Sequence, residues 1–384
     1  MSSAALLDEL RLAQSLVAGL AQDLDAADWR SQAHPDLSPP GWHLGHCAFT
    51  ETCWLQEVIL GDDRFTAPVA RLYTPAQTPK SERGALLPLA LTAWVQELQS
   101  YNMAILEHPP VEVSSHPLMQ DDYLLHFLVQ HYSQHFEIMV MALTQQALAA
   151  DDGDFSITRP LQAVTGKSES CHIDAGHYRV GGQAPVAYDN ELPAQQATLG
   201  SCAIAVQPVT NGEYLAFMEA GGYRNPELWD VAGRKWLQQS DASAPDHWRR
   251  NADGHWYGVG IRGPYTLTGD DVLHGICWHE AQAFARWADA CLPHEHQWEV
   301  ACRLHQLEQT GRAWEWCDNS FYPYDGFRSF PYEDYSGAWF DGNHYSLRGG
   351  SLHTRPAIKR AAFRNFYQPD KRHIFAGLRL AYSL

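Results

Sequence analysis

The chain has 384 residues and a mass of 43.2 kDa, more than one small hydrophobic core usually holds, so we expect two domains. Hydrophobic residues make up 45% of it and charged residues 19%, which excludes a disordered or collagen-like chain. A formal charge of -18, without a cluster of basic residues, argues against nucleic acid as a partner. The chain is rich in Trp, Tyr and His, the residue types that build aromatic pockets and metal sites.

The first 150 residues are predicted to form a bundle of four helices. Apolar residues recur at steps of three and four, the spacing of one helical face, in each of them. Ser38 followed by Pro39 is a good N-cap and first-turn pair for the second helix. The predicted helices are Leu6–Leu24, the helix after Ser38 with Trp42, His46, Phe49 and Cys53 on its stripe, Leu87–Ile105, and about Met119–Leu148.

The remaining stretches are predicted to be less regular. Residues 66–84 contain three prolines, which predicts a long loop between the second and third helices. Residues 151–165 are polar and rich in turn formers, as in a linker. The rest of the chain is dense in Gly, Trp and Tyr, with short strand-like pieces. We therefore expect a helical domain over residues 1–150, a linker over 151–165, and an irregular α+β domain over 166–384 with two clear helices, near Asn211–Glu219 and His279–Ala290.

Features of export or membrane insertion are not found in the sequence. Asp8 and Glu9 occupy the stretch where a signal peptide would be basic, and no apolar run is long enough to span a bilayer. The eight cysteines include no C-x-x-C pair. We expect a cytoplasmic protein without a membrane partner, whose cysteines are mostly reduced and buried.

Histidines on the helical stripes form a candidate metal site. His131 and His135 are four residues apart on the fourth helix, so both imidazoles project from one face and can reach the same ion. His46 lies on the inward stripe of the second helix, which can bring it opposite the pair. His43 is a competing third ligand, because the pattern alone does not choose between it and His46, whereas His126 lies off the stripe. The alternative for each is a core histidine bonded to a neighbour.

Two motifs of the helical half resemble a known enzyme family. The segments SPPGWHLGHCAFTETCWL (Ser38–Leu55) and HYSQHFEIM (His131–Met139) resemble the iron-binding part of the ergothioneine, ovothiol and selenoneine sulfoxide (selenoxide) synthases, the EgtB, OvoA and SenA type. In that family a DinB-like bundle supplies three histidines to iron(II). The resemblance implies Fe(2+) as cofactor, His46, His131 and His135 as its ligands, and Gln134 as a contact of the imidazole substrate.

The second half resembles a formylglycine-generating-enzyme type of domain, an irregular C-type-lectin-like fold. The motifs that carry this resemblance are PVTNGEYLAFM (Pro208–Met218), CWHEAQAFARWAD (Cys277–Asp289), LPHEHQWEVACR (Leu292–Arg303), GRAWEWC (Gly311–Cys317), LRGGSLHTRP (Leu347–Pro356) and FRNFYQPDKRHIFAGLRLA (Phe363–Ala381). The implied fold class is α + (α+β), a DinB-like four-helix bundle followed by a lectin-like domain that contributes the substrate pocket.

One run of the second half corresponds to the family's substrate-binding residues. Members that use γ-glutamylcysteine read N-W-D where this chain reads Asn365-Phe366-Tyr367, and carry Arg where it has Lys371. The acidic group that would meet the donor's ammonium is therefore missing, and Lys cannot give a bidentate contact to its carboxylate. These departures favour cysteine or an uncharged donor such as a selenosugar. The candidate substrate-binding residues are Gln134, Asn365, Phe366, Tyr367 and Lys371, and Arg364 beside Asn365 suits a substrate carboxylate.

The implied reaction joins three small molecules: hercynine, a thiol or selenol donor, and O2. Iron(II) held by three histidines keeps positions open for them. Sulfur or selenium becomes bonded to the imidazole carbon between the two nitrogens and is oxidised. The family's proton donor is a tyrosine, and Tyr332 is our candidate among the tyrosines of residues 322–335. The ovothiol type commonly has a further methyltransferase domain for which 384 residues leave no room, so we expect hercynine rather than histidine as acceptor.

Two other functions compete with this one. DinB-type bundles also bind divalent metal through three histidines, so the first alternative is a zinc-dependent thiol transferase. Such an enzyme would use a metal-activated thiolate on an electrophile and would need no O2. The large second domain has no evident task in that reaction. A non-catalytic ligand-binding homologue is the second alternative, and the intact set of three histidines counts against it.

Overall fold

The computed structural model describes residues 2–22, 24–166 and 168–382. The chain divides into two compact units. The first consists of Met1–Ala150 and a short later segment, His353–Ile358, and the second of Asp151–Leu352 and Lys359–Leu384. The first unit is helical and the described strands lie in the second, so the predicted fold class is confirmed.

Four long helices form the first unit, as the apolar periodicity predicts. The helices are α1 (Ser3–Ala21), α2 (Ala26–Arg30), α3 (Pro40–Thr52), α4 (Ala70–Tyr73), α5 (Lys80–Leu86), α6 (Leu91–Glu107), α7 (Val111–Ser114) and α8 (Tyr123–Ala150), with a π-helix at Cys53–Ile59 and a 3₁₀ helix at Pro117–Asp122. α1 packs along α8, and α3 packs against both α6 and α8.

Burial of apolar side chains holds these helices together. Leu10, Val17 and Leu128 have no exposed surface, and Leu98 has almost none. Each such side chain contributes roughly 1.5–3 kcal/mol relative to an exposed position. α3 is buried on all sides over Pro40–Phe49. Its polar side chains must therefore find partners inside the protein.

The start of α3 differs from the prediction. The helix begins at Pro40 with Pro39 as its N-cap, rather than with Ser38. The Ser38 hydroxyl instead accepts a hydrogen bond from Arg83 Nη1 at 2.6 Å. A side chain used in a long-range contact is not available as a cap.

Two further predictions for the first unit are wrong in detail. Residues 66–84 are not a simple loop, because α4 and most of α5 lie within them. α8 begins at Tyr123 rather than near Met119, because the preceding 3₁₀ helix contains Asp121 at a φ of 52°, which ends the helical path. Both features depend on local backbone turns that a hydrophobic period does not record.

Short strands and short helices build the second unit. The strands are β1 (Ser170–Ile173), β2 (Gly176–Val180), β3 (Gln195–Leu199), β4 (Cys202–Ala205), β5 (Trp248–Arg250), β6 (Trp256–Gly260), β7 (Gly263–Tyr265), β8 (Trp314–Ser320), β9 (Tyr345–Arg348), β10 (Asn365–Tyr367), β11 (Ala376–Gly377) and β12 (Ala381–Tyr382). The helices are α9 (Asn211–Glu219), α10 (Val231–Ser240), α11 (Trp278–Trp287) and α12 (Glu295–Arg303), with short 3₁₀ turns between them. The four-stranded sheet has the order β10-β9-β8-β11, in which β11 pairs parallel to β8 and the other pairs are antiparallel.

Several details of the second unit can be compared with the sequence. α9 has the predicted bounds, and α11 lies near the second predicted helix. α10 and α12 were not predicted. Residues 151–165, interpreted as a linker, contain neither helix nor strand, and they are bonded to the second unit where Tyr257 donates to Asp151 and Asn251 Nδ2 donates to the Phe155 carbonyl.

Buried ion pairs connect distant parts of the second unit. Glu295, the first residue of α12, accepts hydrogen bonds from Arg364 Nε at 2.8 Å and Nη2 at 2.7 Å. Glu299, one turn later, pairs with Arg348 of β9 at 2.6 Å. None of these four side chains is exposed. Their charges are balanced inside a low-dielectric interior, so removal of one partner would leave an uncompensated charge.

Two global features complete the description. None of the described helices is long and apolar enough to cross a membrane. All eight cysteines are free thiols, and only Cys291 is exposed.

The buried pair at Glu295 predicts an acid-sensitive fold. Burial alone would raise the pKa of Glu295, but Arg364 and Arg348 lower it from 4.5 to about 2. A carboxyl whose pKa is lower in the folded state stabilises the fold above its ordinary pKa and loses that contribution as the pH falls toward about 2. Glu295→Gln should therefore reduce the free energy of unfolding at neutral pH by about 3–5 kcal/mol and flatten its dependence on pH in the acid range.

Urea unfolding followed by tryptophan fluorescence, at neutral pH and at several pH values between the two pKa values, measures both effects. Glu227→Gln is the matched control, because Glu227 is exposed and its carboxylate has no hydrogen bond or ion pair among the described residues, where only its backbone amide donates to Asn225 Oδ1. Equal stability of the Glu295→Gln and Glu227→Gln variants at neutral pH would contradict the prediction.

Candidate metal centre

α3 and α8 bring three histidines together inside the first unit. One ring nitrogen from each of His46, His131 and His135 lies within 4.8 Å of the other two. The ring centroids of His131 and His135 are 4.5 Å apart, as expected for neighbours one helical turn apart, and His46 lies 4.7 Å from His135. The structure thus places the three predicted ligands in one cluster.

The tautomer of His46 is fixed by a backbone carbonyl. His46 Nδ1 lies 2.7 Å from the Tyr73 carbonyl oxygen, which can only accept a hydrogen bond, so Nδ1 carries the proton. The lone pair is then on Nε2, available to a metal. Gly45 permits this contact, because a Cβ there would lie 2.4 Å from the Tyr73 ring. The carbonyl belongs to the last residue of α4, a helix that was not predicted.

An aromatic stack holds the His46 ring in place. The Trp42 indole lies nearly parallel to it at a centroid distance of 4.6 Å. The guanidinium carbon of Arg83 lies over the Trp42 ring, 4.0 Å from the ring centroid. Arg83 is buried and donates to the Thr78 and Pro75 carbonyls as well as to Ser38. A cation over an indole is attracted by the ring quadrupole, so the three groups form one rigid layer.

His43 contacts a member of the cluster instead of joining it. Its Nδ1 lies 3.0 Å from His135 Nδ1. One of these nitrogens donates to the other, so His135 has only Nε2 for a metal. His43 thus contacts His135, while His46 lies in the cluster of three ring nitrogens, and this geometry favours His46 over His43 as the third ligand.

His131 is enclosed but not hydrogen-bonded through Nδ1. That nitrogen is buried and has no hydrogen-bond partner among the described residues. Phe127, one turn earlier, stacks on the imidazole at 6.0 Å with an angle of 18° between the planes. A buried imidazole without a partner is costly in a folded protein unless another species completes its environment.

Burial keeps the three imidazoles uncharged. It lowers the pKa of His46 to about 4, and with the neighbouring imidazoles it holds the pKa of His131 and His135 well below the usual range. Neutral imidazoles are the form that binds metal. Three convergent neutral imidazoles therefore fit a divalent transition-metal ion and leave coordination positions open for substrates.

A segment from late in the sequence packs beside the cluster within the same unit. The Thr354 hydroxyl donates to the buried Glu137 carboxylate at 2.7 Å, and the Arg355 guanidinium lies 5.8 Å from the Phe136 ring. Glu137 and Phe136 directly follow His135 on α8, and Gln134, the predicted substrate contact, precedes it and is half-buried. This packing was not predicted, because nothing in the periodicity of residues 353–358 links them to a helix more than 200 residues earlier.

The second unit carries the other predicted substrate residues. Asn365, Phe366 and Tyr367 form β10, opposite Leu347, Ser346 and Tyr345 of β9. The Asn365 Oδ1 accepts from the Phe366 amide at 3.0 Å. Lys371 follows the strand, and its Nζ lies 3.5 Å from Asp370 Oδ1.

The interpretation of Arg364 as a group for a substrate carboxylate is wrong. Its side chain is buried, and both edges of the guanidinium are used by Glu295, the Asn190 carbonyl and the Tyr322 carbonyl. Position next to Asn365 did not reveal this, because neighbours along a strand point to opposite faces.

The tyrosines of residues 322–335 differ widely in environment. Tyr332, the predicted proton donor, is 38% exposed, and its ring lies 6.0 Å from Tyr335. Tyr324 is buried, and its hydroxyl has no hydrogen-bond partner among the described residues. Burial raises the pKa of Tyr322 to about 12. Tyr332 remains a prediction.

Comparisons with known proteins cover both units. Residues 9–139 match the DinB superfamily, and residues 159–310 and 304–384 match the sulfatase-modifying factor enzyme 1-like domain. That domain accounts for more than half of the chain. The chain belongs to the sulfatase-modifying factor enzyme 1-like family.

Similarity to whole proteins is more specific. The chain is 29% identical to a protein of Mycobacterium tuberculosis named hercynine oxygenase, over 94% of this chain and 95% of that protein. It is 28% identical to the hercynine oxygenase of Mycolicibacterium smegmatis, over 99% of both. A formylglycine-generating enzyme of Thermomonospora curvata is 29% identical over 37% of this chain and 50% of that enzyme. The near full-length similarity to proteins named hercynine oxygenase supports the assignment of the chain as an oxidoreductase enzyme, a sulfoxide synthase.

The cluster predicts that each ligand is necessary for metal binding by this synthase. His131→Ala removes one of three imidazoles, so we expect loss of the single bound metal ion per chain after desalting. His126→Ala is the control, because His126 lies on the same helix outside the cluster. Metal analysis of both proteins tests this, and a His131→Ala variant that keeps its metal would show that the cluster is not the site.

His43 gives a different expectation. An orienting partner tunes a ligand without binding the ion, and loss of such a partner typically weakens metal affinity by about 10–100-fold. His43→Ala should therefore still bind one metal per chain, with a dissociation constant raised by about that factor in chelator competition. Complete loss of metal, as in His131→Ala, would mean that His43 is itself a ligand.

Proposed function

We propose that the protein is an iron(II)- and O2-dependent synthase that joins a thiol or selenol donor to the imidazole C2 of hercynine and oxidises the chalcogen. The observation that carries this proposal is the cluster of three neutral imidazoles on α3 and α8, two buried and one half-buried. Its support is the near full-length similarity to proteins named hercynine oxygenase. The product is the sulfoxide or selenoxide precursor of ergothioneine or selenoneine.

The reaction balances with O2 as the only oxidant. The new carbon–sulfur or carbon–selenium bond replaces one carbon–hydrogen and one chalcogen–hydrogen bond. One oxygen atom becomes bonded to the chalcogen, and the other leaves as water. O2 accepts four electrons, two from bond formation and two from chalcogen oxidation. Bound iron(II) would supply the redox chemistry with O2 and lower the pKa of a bound thiol or selenol.

The side chains of the first unit prepare this site before substrates arrive. The Tyr73 carbonyl holds His46 and His43 holds His135, each in one orientation, so neither of these two ligands has to rearrange. His46 and His131 are each only 6% exposed, so little bulk water reaches these two imidazoles. Gln134, next to His135, is proposed to bond the imidazole of the acceptor with its amide.

The second unit is proposed to bind the rest of the substrates. Asn365 offers an amide to the imidazole, and Phe366 supplies an aromatic surface that is stacked on Phe321 at 4.2 Å. A trimethylammonium group is attracted to such a surface. We propose that Tyr332 donates its phenolic proton during oxygen reduction.

The side chains near Tyr367 argue against γ-glutamylcysteine as the donor and suit an uncharged donor best. Tyr367 has no charge to offer an ammonium, and the Lys371 ammonium already faces Asp370 at 3.5 Å. The three residues that follow Tyr367, Gln368–Asp370, line a cavity of about 370 Å³ in the second unit. Trp278 and Tyr345 form its wall, with ring centroids 4.2 Å apart, and its polar lining comprises Asp230, His279, Asn343, Gln368 and Asp370.

Such a lining suits a hydroxyl-rich molecule. Aromatic faces pack against the apolar face of a sugar ring, while carboxylates and amides bond its hydroxyls. The two carboxylates of this lining each have a neighbouring cation: Arg286 lies 3.8 Å from Asp230, and Lys371 lies 3.5 Å from Asp370. A selenosugar is the preferred donor on these grounds, with cysteine as the second choice.

A comparison of donors in separate reactions tests the function directly. Iron-loaded protein is incubated with hercynine in air, separately with a selenosugar, cysteine or γ-glutamylcysteine, and products are identified by mass. We expect coupled product with the selenosugar or cysteine, and none without O2. Product formation under anaerobic conditions would indicate a thiol transferase instead, and product only from γ-glutamylcysteine would refute the donor assignment.

The residue basis of the donor preference has its own test. Tyr367→Asp with Lys371→Arg restores the acid and the bidentate cation that γ-glutamylcysteine would need. We expect kcat/KM for γ-glutamylcysteine to rise by at least about tenfold, since a charge-assisted hydrogen bond contributes roughly 1.5–3 kcal/mol. Tyr367→Phe is the control, because it keeps the ring and adds no charge. An unchanged ratio of donor preferences in the double variant would show that these two positions do not select the donor.

A further inference from the structure

One buried carboxylate connects all four long helices of the first unit. Glu51 of α3 has no exposed surface. Its Oε2 accepts hydrogen bonds from Gln14 Nε2 of α1 at 2.8 Å and from the Tyr132 hydroxyl of α8 at 2.7 Å. Its Oε1 accepts from Asn102 Nδ2 of α6 at 3.1 Å. The three donors come from three different helices, so a single side chain relates α3 to each of the others.

The donors are themselves held in place. Asn102 Nδ2 also donates to the Thr52 hydroxyl at 3.0 Å, and Gln56 Nε2 donates to Asn102 Oδ1 at 2.5 Å. Gln99 Nε2 donates to the Tyr132 hydroxyl at 3.1 Å, which leaves the phenolic hydrogen for Glu51. Asn102 and Tyr132 therefore each have one orientation in which all of these bonds are made, so this part of the network is specific rather than adaptable.

The network adjoins the candidate metal centre on both helices that supply ligands. Glu51 lies five residues after His46, about 7.5 Å along α3. Tyr132 directly follows His131 on α8. The bond between Glu51 and Tyr132 thus joins the two ligand-bearing helices close to the level of the imidazoles. A slide or rotation of one helix against the other would break it.

Stability alone is a weak explanation for this carboxylate. All of its hydrogen-bond donors are neutral, and no ion pair to it is found among the described residues. A buried carboxylate without a cation is expensive, and well-packed apolar groups usually stabilise an interior at least as well. Buried polar groups are better suited to fixing the register of helices, as polar residues do in helical coiled coils.

We propose that Glu51 is a positioning residue for the metal centre. It holds α3 and α8 at the spacing and rotation at which His46, His131 and His135 converge. This role rests on the metal centre of the proposed function, and it assigns to Glu51 no contact with metal or substrate. Its loss should change the geometry and affinity of metal binding more than it changes the stability of the fold.

Cobalt(II) titration of the purified full-length protein tests the role without turnover, because the visible absorption of bound cobalt reports coordination geometry. In Glu51→Gln one donor faces an amide NH2 group instead of an oxygen, and in Glu51→Leu all three donors lose their acceptor. We expect the dissociation constant to rise by about tenfold or more in Glu51→Leu, less in Glu51→Gln, with an altered cobalt spectrum in both.

Leu98→Ala is the matched control. Leu98 is buried on α6 and carries no polar group, so this variant lowers the melting temperature through a cavity without touching the network. It should keep the cobalt spectrum and affinity of the unaltered protein. If Glu51→Leu does not fold, Glu51→Gln and Tyr132→Phe, which removes one of the three bonds, decide the question in the same assay.

The outcomes separate the two claims. An unaltered protein that binds no cobalt would remove the metal centre itself. Cobalt bound by the unaltered protein and by the folded Glu51 variants with the same affinity and spectrum would leave the metal centre and overturn the positioning role. Equal effects of Glu51→Gln and Leu98→Ala at equal loss of melting temperature would also overturn it, because general destabilisation would then explain both.

Discussion

The structure of the first unit depends on holding three uncharged imidazoles, two buried and one half-buried, together on two helices. Burial lowers the pKa of His46, His131 and His135, so their lone pairs are available at neutral pH. The same burial favours surroundings that hydrogen-bond the second ring nitrogens of His46 and His135 and that fix the helices carrying the three histidines. Much of the bundle serves that need: a tyrosine carbonyl from a short helix, an orienting histidine, an indole covered by a buried arginine, and a carboxylate that bonds three other helices.

The second unit solves a different problem. Its strands are short and its turns are many, so regular hydrogen-bond ladders alone cannot define it. Buried ion pairs such as Glu295 with Arg364 and Glu299 with Arg348 connect helix α12 to strand β9 and to the residue that precedes strand β10. Asn365–Tyr367 form the edge strand β10, whose half-buried residues pair with β9 beside them in the same sheet. Rigid scaffolding by ion pairs beside a half-buried strand is a suitable basis for substrate recognition.

The spacing of apolar residues predicted features that lie within one helix. It did not predict contacts between segments that are far apart in the sequence. The four long helices and the joint position of His131 and His135 follow from apolar steps of three and four. The partners of the imidazoles do not, because Tyr73 and Arg83 lie in a proline-rich stretch without a hydrophobic period. Gly45 was the available signal, since a glycine beside a buried histidine often marks close backbone or ring approach. The substrate role of Arg364 was wrong for the related reason that sequence shows neighbours along a strand and not the opposite faces they occupy.

X-ray absorption at the iron edge of the anaerobically loaded protein measures which atoms are bound to the metal. We predict one iron(II) per chain with three imidazole nitrogens bound to it, and the loss of this iron signal from a His46→Ala variant. A first shell without three imidazoles, or one that is unchanged by the His46 substitution, would contradict it.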